Sequence, residues 1–258
     1  MKSNYLEAKN KREPESTGQW FLRSLQYSNW KDSETASFQL LWLTGGQGRG
    51  KTVLCSSVIG DIDFPVAFFF FDFNDSTKQE PDLMVKSILS QLLYFEIQPQ
   101  ILESLASCIK RPPHKIEPLH ALKQIIEGLQ VAYVVLDALD ECHQKKEQLM
   151  KILKHIADWK LKNLHVLVAS KPDEEMRVWL REDFPTSAHY EIVDLDRDDE
   201  NAHRDEEGSR PMCEIRRDIR QYIRSKFEKS VAGRIWDDRK QEIENNLVDG
   251  ADGVYVSA

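Results

Sequence analysis

Eight consecutive residues, Gly45–Thr52 (GGQGRGKT), carry the spacing G-x-x-x-x-G-K-[ST]. They follow the apolar run Leu40–Leu43 and precede another that begins at Val53. That places the pattern between a strand and a helix, the context in which a glycine-rich loop cradles phosphate. Gly45, Gly48 and Gly50 free the backbone to curl until its N–H groups converge on phosphate oxygens, and the helix N-terminus adds positive potential. In that chemistry Lys51 bridges the β- and γ-phosphates and Thr52 offers its hydroxyl to Mg²⁺. Gly46 completes the loop. Gln47 and Arg49 are large, but they take variable positions, where a side chain can leave the loop while its amide points inward. An ordinary glycine-rich turn has no need of the Lys-Thr pair.

Acids supply the complementary chemistry. The stretch VAYVVLDALDECH runs an apolar strand into Asp137, with Asp140 and Glu141 one short turn further. A carboxylate closing a buried strand is the expected metal partner of Thr52. Asp140 and Glu141 are close enough to orient or deprotonate a water attacking a γ-phosphate. Helix capping accounts for one of these acids but not for Asp137. A third strand, LHVLVASKPDEE, ends in Ser170 and Lys171. The residues alone leave two readings of Lys171 open, a γ-phosphate contact or a surface lysine on a turn. Cys142 and His143 are adjacent and make a poor metal pair, and the other histidines show no ligand spacing.

These residues need a sheet to bring them together. Five segments have the composition of buried strands: Phe38–Leu43, Val66–Phe73, Ala132–Asp137, Leu164–Ser170 and Tyr190–Leu195. Helical patterns such as PDLMVKSILSQLLYF, LHALKQIIEGL and EQLMKILKHIADW lie between them, which implies parallel crossovers and a doubly wound α/β sheet. Ligands of such sheets sit at the carboxyl ends of the strands. Upstream, STGQWFLRSLQYSNWKD reads as short amphipathic helices with Ser16 or Thr17 as N-cap. Downstream, DLDRDDENAHRDEEGSR reads as a solvated, charge-dense loop. The organisation expected is a polar segment 1–16, a nucleotide-binding domain 17–196, a charged loop 197–210, and the start of a helical subdomain 211–258.

Composition excludes several classes. The 258 residues are 41% hydrophobic and 30% charged, a globular balance. A net charge of −8 argues against a duplex-binding face, so no nucleic-acid partner is expected. Cys55, Cys108, Cys142 and Cys213 lie far apart without a C-x-x-C pair, which favours a reducing, cytoplasmic setting. No apolar stretch approaches the ~20 residues of a membrane span, so no membrane partner is expected.

Taken in order and spacing, TGQWFL, LLWLTGGQGRGKTVL, VVLDALDEC and HVLVASKPD resemble the NACHT-type P-loop NTPase module of fungal NLR-like proteins, a STAND-class domain known as the nephrocystin-3-like N-terminal domain. The resemblance covers the chain from about Thr17 onward. It implies a three-layer α/β fold with a five-stranded parallel sheet ordered 2-3-4-1-5. It also implies binding of ATP or GTP with Mg²⁺, switching between nucleotide states, homo-oligomerisation, and roles in self/non-self recognition or defence. Carried over by position, Gly45–Thr52 form the phosphate loop, Asp137 coordinates Mg²⁺, and Asp140 and Glu141 serve hydrolysis, with Lys171 sensing the γ-phosphate. Trp20 and its neighbours lie near where the family seats the base. Three departures stand out. The family usually has Pro where Gln47 stands and a small residue where Arg49 stands. It has Arg at the position of Lys171, whose ammonium lacks the planar fork. Family members also continue into winged-helix and repeat regions, so the ending ADGVYVSA is expected to be a truncation. The alternative from another class is a non-hydrolysing interaction or oligomerisation module that keeps the fold. A P-loop kinase or a nucleic-acid motor is a weaker third reading.

Overall fold

The structure, a computed structural model, describes residues 17–32, 38–95, 118–196, 211–229 and 239–251. The expected polar segment 1–16 and charged loop 197–210 lie outside them. Two short helices, α1 (Gln19–Leu22) and α2 (Leu25–Asp32), precede β1 (Gln39–Thr44) and α3 (Lys51–Asp61). Then come β2 (Val66–Phe70), α4 (Pro81–Leu92), α5 (Pro118–Glu127), β3 (Ala132–Asp137), α6 (Lys146–Asp158) and β4 (Leu164–Ser170). After α7 (Glu174–Val178) a π-helical turn, Trp179–Asp183, leads to β5 (His189–Asp194). Two helices follow, α8 (Pro211–Lys229) and α9 (Lys240–Ala251).

All five strands are parallel, in the order β2-β3-β4-β1-β5. This is the order that the resemblance implies. Side chains alternate across the sheet with the period of two that a strand imposes. Leu40, Trp42, Val134, Leu136, Val166 and Val168 face α4, α5, α6 and α7. Leu41, Leu43, Tyr133, Val135, Leu167 and Ala169 face α1, α2, α3, α8 and α9. Three layers result, with β1 and β4 central and every residue of both buried. Burying a side chain the size of Trp42 or Phe69 is worth roughly 1.5–3 kcal/mol. An exposed ion pair such as Lys151–Glu147 is screened by water and adds little. The sheet faces, not the surface charges, hold the fold.

Three expectations are corrected. The second strand stops at Phe70 rather than Phe73. The N–H of Phe71 still reaches Asp137 O at 3.1 Å, but Asp72 then captures Asn74 N at 2.9 Å and Asp75 captures Thr77 N at 3.0 Å. Such side-chain bonds to the backbone compete with a ladder and turn the chain away. Strands β1 and β5 are each displaced by one residue from their expected bounds. Helix α1 takes no cap from Thr17; its N-cap is Gly18, left-handed at φ 80°, and Ser16, the other cap expected, lies outside the described residues. Among the described residues no helix is long and apolar enough to cross a membrane.

Candidate functional site

The loop between β1 and α3 has the backbone that its glycines allow. Gly48 (φ 78°) and Gly50 (φ 81°) are left-handed, and Gly50 stands as N-cap of α3. A Cβ on Gly45 would lie 2.9 Å from Leu195 Cβ, closer than carbon atoms pack, so the residue after β5 demands glycine here. Lys51 bends back over the loop, and its Nζ donates to Gly45 O at 2.6 Å and Gly46 O at 2.7 Å. Burial pushes the Lys51 ammonium below its ordinary value, while Asp140, Asp137 and Asp196 pull it back up. Gln47 is exposed.

Asp137 ends β3 and is 2% exposed. Its carboxylate accepts a hydrogen bond at 3.8 Å from the Cys55 thiol, and the Thr52 hydroxyl beside it favours the ionised form. Burial raises the Asp137 carboxyl to about 6, opposed by Thr52 and Lys51. Ala138 is left-handed (φ 57°, ψ 47°), a conformation that disfavours bulky side chains, and it turns the chain into the 3₁₀ segment Leu139–Glu141. Leu139 goes into the core while its neighbours stay at the sheet's carboxyl edge. Asp140 takes Lys171 N at 3.0 Å on Oδ1, and its Oδ2 lies 3.2 Å from Lys171 Nζ. Glu141 Oε2 accepts from Phe73 N at 2.7 Å, and burial raises its carboxyl above the ordinary value.

The fold therefore brings Lys51, Thr52, Asp137, Asp140 and Lys171 to one edge, with Glu141 leaning toward the turn after β2. Ser170 does not present its hydroxyl there. It is buried, accepts from Trp42 Nε1 at 2.9 Å and donates to Lys171 O at 2.8 Å. Among the described residues no group of three His, Cys, Asp or Glu side chains is placed to hold a metal ion. A cation at Thr52 and Asp137 would thus draw its other oxygens from phosphate and water. That suits Mg²⁺, which keeps several waters and takes one or two carboxylates.

Two further acids bind segments far from them in sequence. Asp196 sits in the stretch that reads from sequence as a solvated charge run, yet its carboxylate takes Gly46 N and Arg49 Nε, each at 2.6 Å. Arg49 therefore points out of the loop toward β5, and its Nη1 reaches Met212 Sδ at 3.7 Å. Asp218 of α8 is 4% exposed and accepts from Gly18 N at 2.8 Å and Trp20 Nε1 at 3.2 Å. One signal for Asp218 was available: it falls on the stripe of Ile215 and Ile219, so an acid there is buried and needs donors. Asp196 gave no such sign.

The family model described as Nephrocystin 3, N-terminal, matches residues 16–171, more than half of the chain. Aligned over 158 positions, the chain is 27% identical to the vegetative incompatibility protein HET-E-1 of Podospora anserina. That alignment covers 52% of this chain and 11% of HET-E-1, so the chain spans a small part of that protein's length. Among solved structures, Drosophila ORC bound to DNA is similar at TM-score 0.48 and 11% identity, over 96% of this chain and 58% of the other. A Walker-type ATPase of Pyrococcus abyssi is similar at TM-score 0.43 and 14% identity, over 93% of this chain and 73% of its own.

Proposed function

The chain belongs to the nephrocystin 3 N-terminal family, and from that premise we propose that it binds a nucleoside triphosphate, ATP in the first place and otherwise GTP, together with Mg²⁺. The observation that carries this reading is the joint placement of Lys51 Nζ on the carbonyls of Gly45 and Gly46 and of Thr52 on the buried Asp137. The residues Gly45, Gly46, Gln47, Gly48, Arg49, Gly50, Lys51 and Thr52 supply the loop. Its backbone amides and the Lys51 ammonium receive phosphate oxygens. Thr52 and Asp137 would hold Mg²⁺, which when bound screens phosphate charge.

Hydrolysis, as we read it, is slow and uses Asp140, Glu141 and Lys171. Asp140 keeps Lys171 in place, and Glu141, with its raised carboxyl, is the better proton acceptor for an attacking water. HET-E-1 is a vegetative incompatibility protein, and that relative supports a role in self/non-self or defence signalling; the form we read for it is a cytoplasmic switch module of an NLR-like protein that assembles with further copies of itself. A second reading, a module that binds but does not turn over, is favoured by the tie of Glu141 to Phe73 N, which holds that acid to the turn after β2.

Calorimetric titration of the full chain with ATP, ADP and GTP in Mg²⁺ tests the first reading. Saturable binding that Lys51→Ala abolishes supports it; a Lys51→Ala variant that binds as well as the parent sinks it. Mg²⁺-dependent phosphate release above that of Asp140→Asn decides against the second.

A further inference from the structure

We propose that Asp196 is a positioning residue for the phosphate loop: its carboxylate clasps the loop at Gly46 N and at Arg49 Nε and so sets the loop shape on which triphosphate affinity depends. The consequence for affinity rests on the nucleotide reading above; the clasp itself rests on geometry alone. Oδ2 receives Gly46 N and Oδ1 receives Arg49 Nε, each at 2.6 Å. One carboxylate thus fixes two points of the loop. Charge-assisted bonds of this kind are short and roughly twice as strong as neutral ones. The residues between the two points must arch away, and they do: Gln47 is exposed and Gly48 is left-handed at φ 78°.

The acid is delivered by a rigid support. Leu195 N donates to Thr44 O at 2.8 Å, which carries the parallel pairing of β1 and β5 one residue past the strand. Leu195 is fully buried and presses on Gly45. Asp196 N is held in turn by Asp194 Oδ1 at 3.1 Å. Arg49 lies back across the loop entry, its Cβ and Cγ each 3.6 Å from where a Gly45 Cβ would stand. The side chain that looks too large for a phosphate loop is therefore part of its scaffold. The amide that Asp196 occupies is at the loop's start, ahead of the Gly48–Thr52 stretch that leads into α3, so the acid anchors the loop without taking the helix N-terminus. Ordering the loop in the folded protein lowers what binding must spend on ordering it later.

The test uses the full chain with Mg²⁺ and fluorescent mant-ATP, comparing Asp196→Ala, Asp196→Asn, Arg49→Ala and the Arg49→Ala/Asp196→Ala double variant. Asp196→Ala is expected to weaken affinity about tenfold and Arg49→Ala about threefold, and the double variant should be no weaker than Asp196→Ala within about twofold, because both act through one carboxylate. Asp196→Asn keeps an acceptor for Gly46 and should fall between parent and Asp196→Ala. In parallel, hydrogen exchange without nucleotide should show the Gly46 amide protected in the parent and exchanging about tenfold faster in Asp196→Ala. Unchanged or tighter binding by Asp196→Ala while Lys51→Ala abolishes binding overturns the proposal, as does unchanged exchange at Gly46. If the parent itself binds no nucleotide, the functional reading falls, and exchange alone decides whether the clasp shapes the loop. Should Asp196→Ala unfold, the same measurements are read from Asp196→Asn and Arg49→Ala.

Discussion

The Asp140 carboxylate holds Lys171 by both its backbone and its side chain, with Oδ1 accepting from Lys171 N at 3.0 Å and Oδ2 lying 3.2 Å from Lys171 Nζ. The Lys171 side chain is 50% exposed, and a pair so open to water contributes about 1 kcal/mol or less to stability. Its worth must therefore be sought elsewhere. If Lys171 meets developing charge on a γ-phosphate, Lys171→Met should cut phosphate release on the order of 10–100-fold. Nucleotide affinity should shift by about threefold or less, and denaturant midpoints should hardly move. A stability loss above about 2 kcal/mol with unchanged turnover would identify the pair as structural instead.

His165 offers a prediction on the opposite edge of the sheet. It is 4% exposed, its Nδ1 donates to Trp30 O at 2.6 Å, and the Trp30 and Tyr133 rings flank it. Burial lowers the imidazole below its ordinary value of 6.5; Trp30 O and the charge of Asp32 oppose this. The unfolded chain then takes up a proton at a higher pH than the folded one. The stability that His165 contributes is complete above pH 6.5 and declines as pH falls below it, by about 1.4 kcal/mol at most for each pH unit in which only the unfolded state is protonated. The raised carboxyl of Asp137 works in the opposite sense below about 6. Urea unfolding followed from about pH 8 down to about pH 5 should show the slope due to His165 in the parent, superimposed on that opposing one. His165→Gln, which keeps an N–H for Trp30 O, should flatten it; an identical slope in both proteins would assign the acid sensitivity to other groups.

Much of the fold was legible because strands and helices announce themselves locally. Ala132–Asp137 and Leu164–Ser170 are legible to the residue, since each is an apolar run bounded by a turn. The loop and Asp137 were legible for a related reason: a glycine pattern and an acid at a strand end need only their immediate neighbours to be recognised. What escaped depends on partners far along the chain. Asp196 meets Arg49 across 147 residues, and Asp218 meets Gly18 across 200. A charge-dense run gives no hint that one of its acids folds back on a loop. Ser170 was placed at the right strand end, but Trp42 one strand away takes its hydroxyl. At Gly18 a polar cap was expected from Ser16 or Thr17. The left-handed turn and the approach of Ser57 Oγ, 2.9 Å from a would-be Cβ, show why glycine stands there.

Gln91 leads to the last prediction. The side chain of this α4 residue pairs with the edge strand β2 as a neighbouring strand would: Oε1 accepts from Phe68 N at 3.2 Å and Nε2 donates to Phe68 O at 2.8 Å. An edge strand presents unmatched backbone groups that invite pairing with another chain, and proteins commonly cover such edges. Here the Gln91 amide does so at the middle of β2. Ser87 steadies it, since Nε2 also reaches Ser87 Oγ at 3.1 Å. Gln91→Ala should therefore cost about 1–3 kcal/mol, the penalty for stranding partly buried peptide groups, and should raise self-association at high concentration. Gln91→Glu keeps an acceptor for Phe68 N but sets a carboxylate against Phe68 O, so it should destabilise at neutral pH and recover in part when protonated. Chemical denaturation and sedimentation velocity read the two effects separately. A Gln91→Ala protein as stable and as monodisperse as its parent would show that the β2 edge does not depend on this amide.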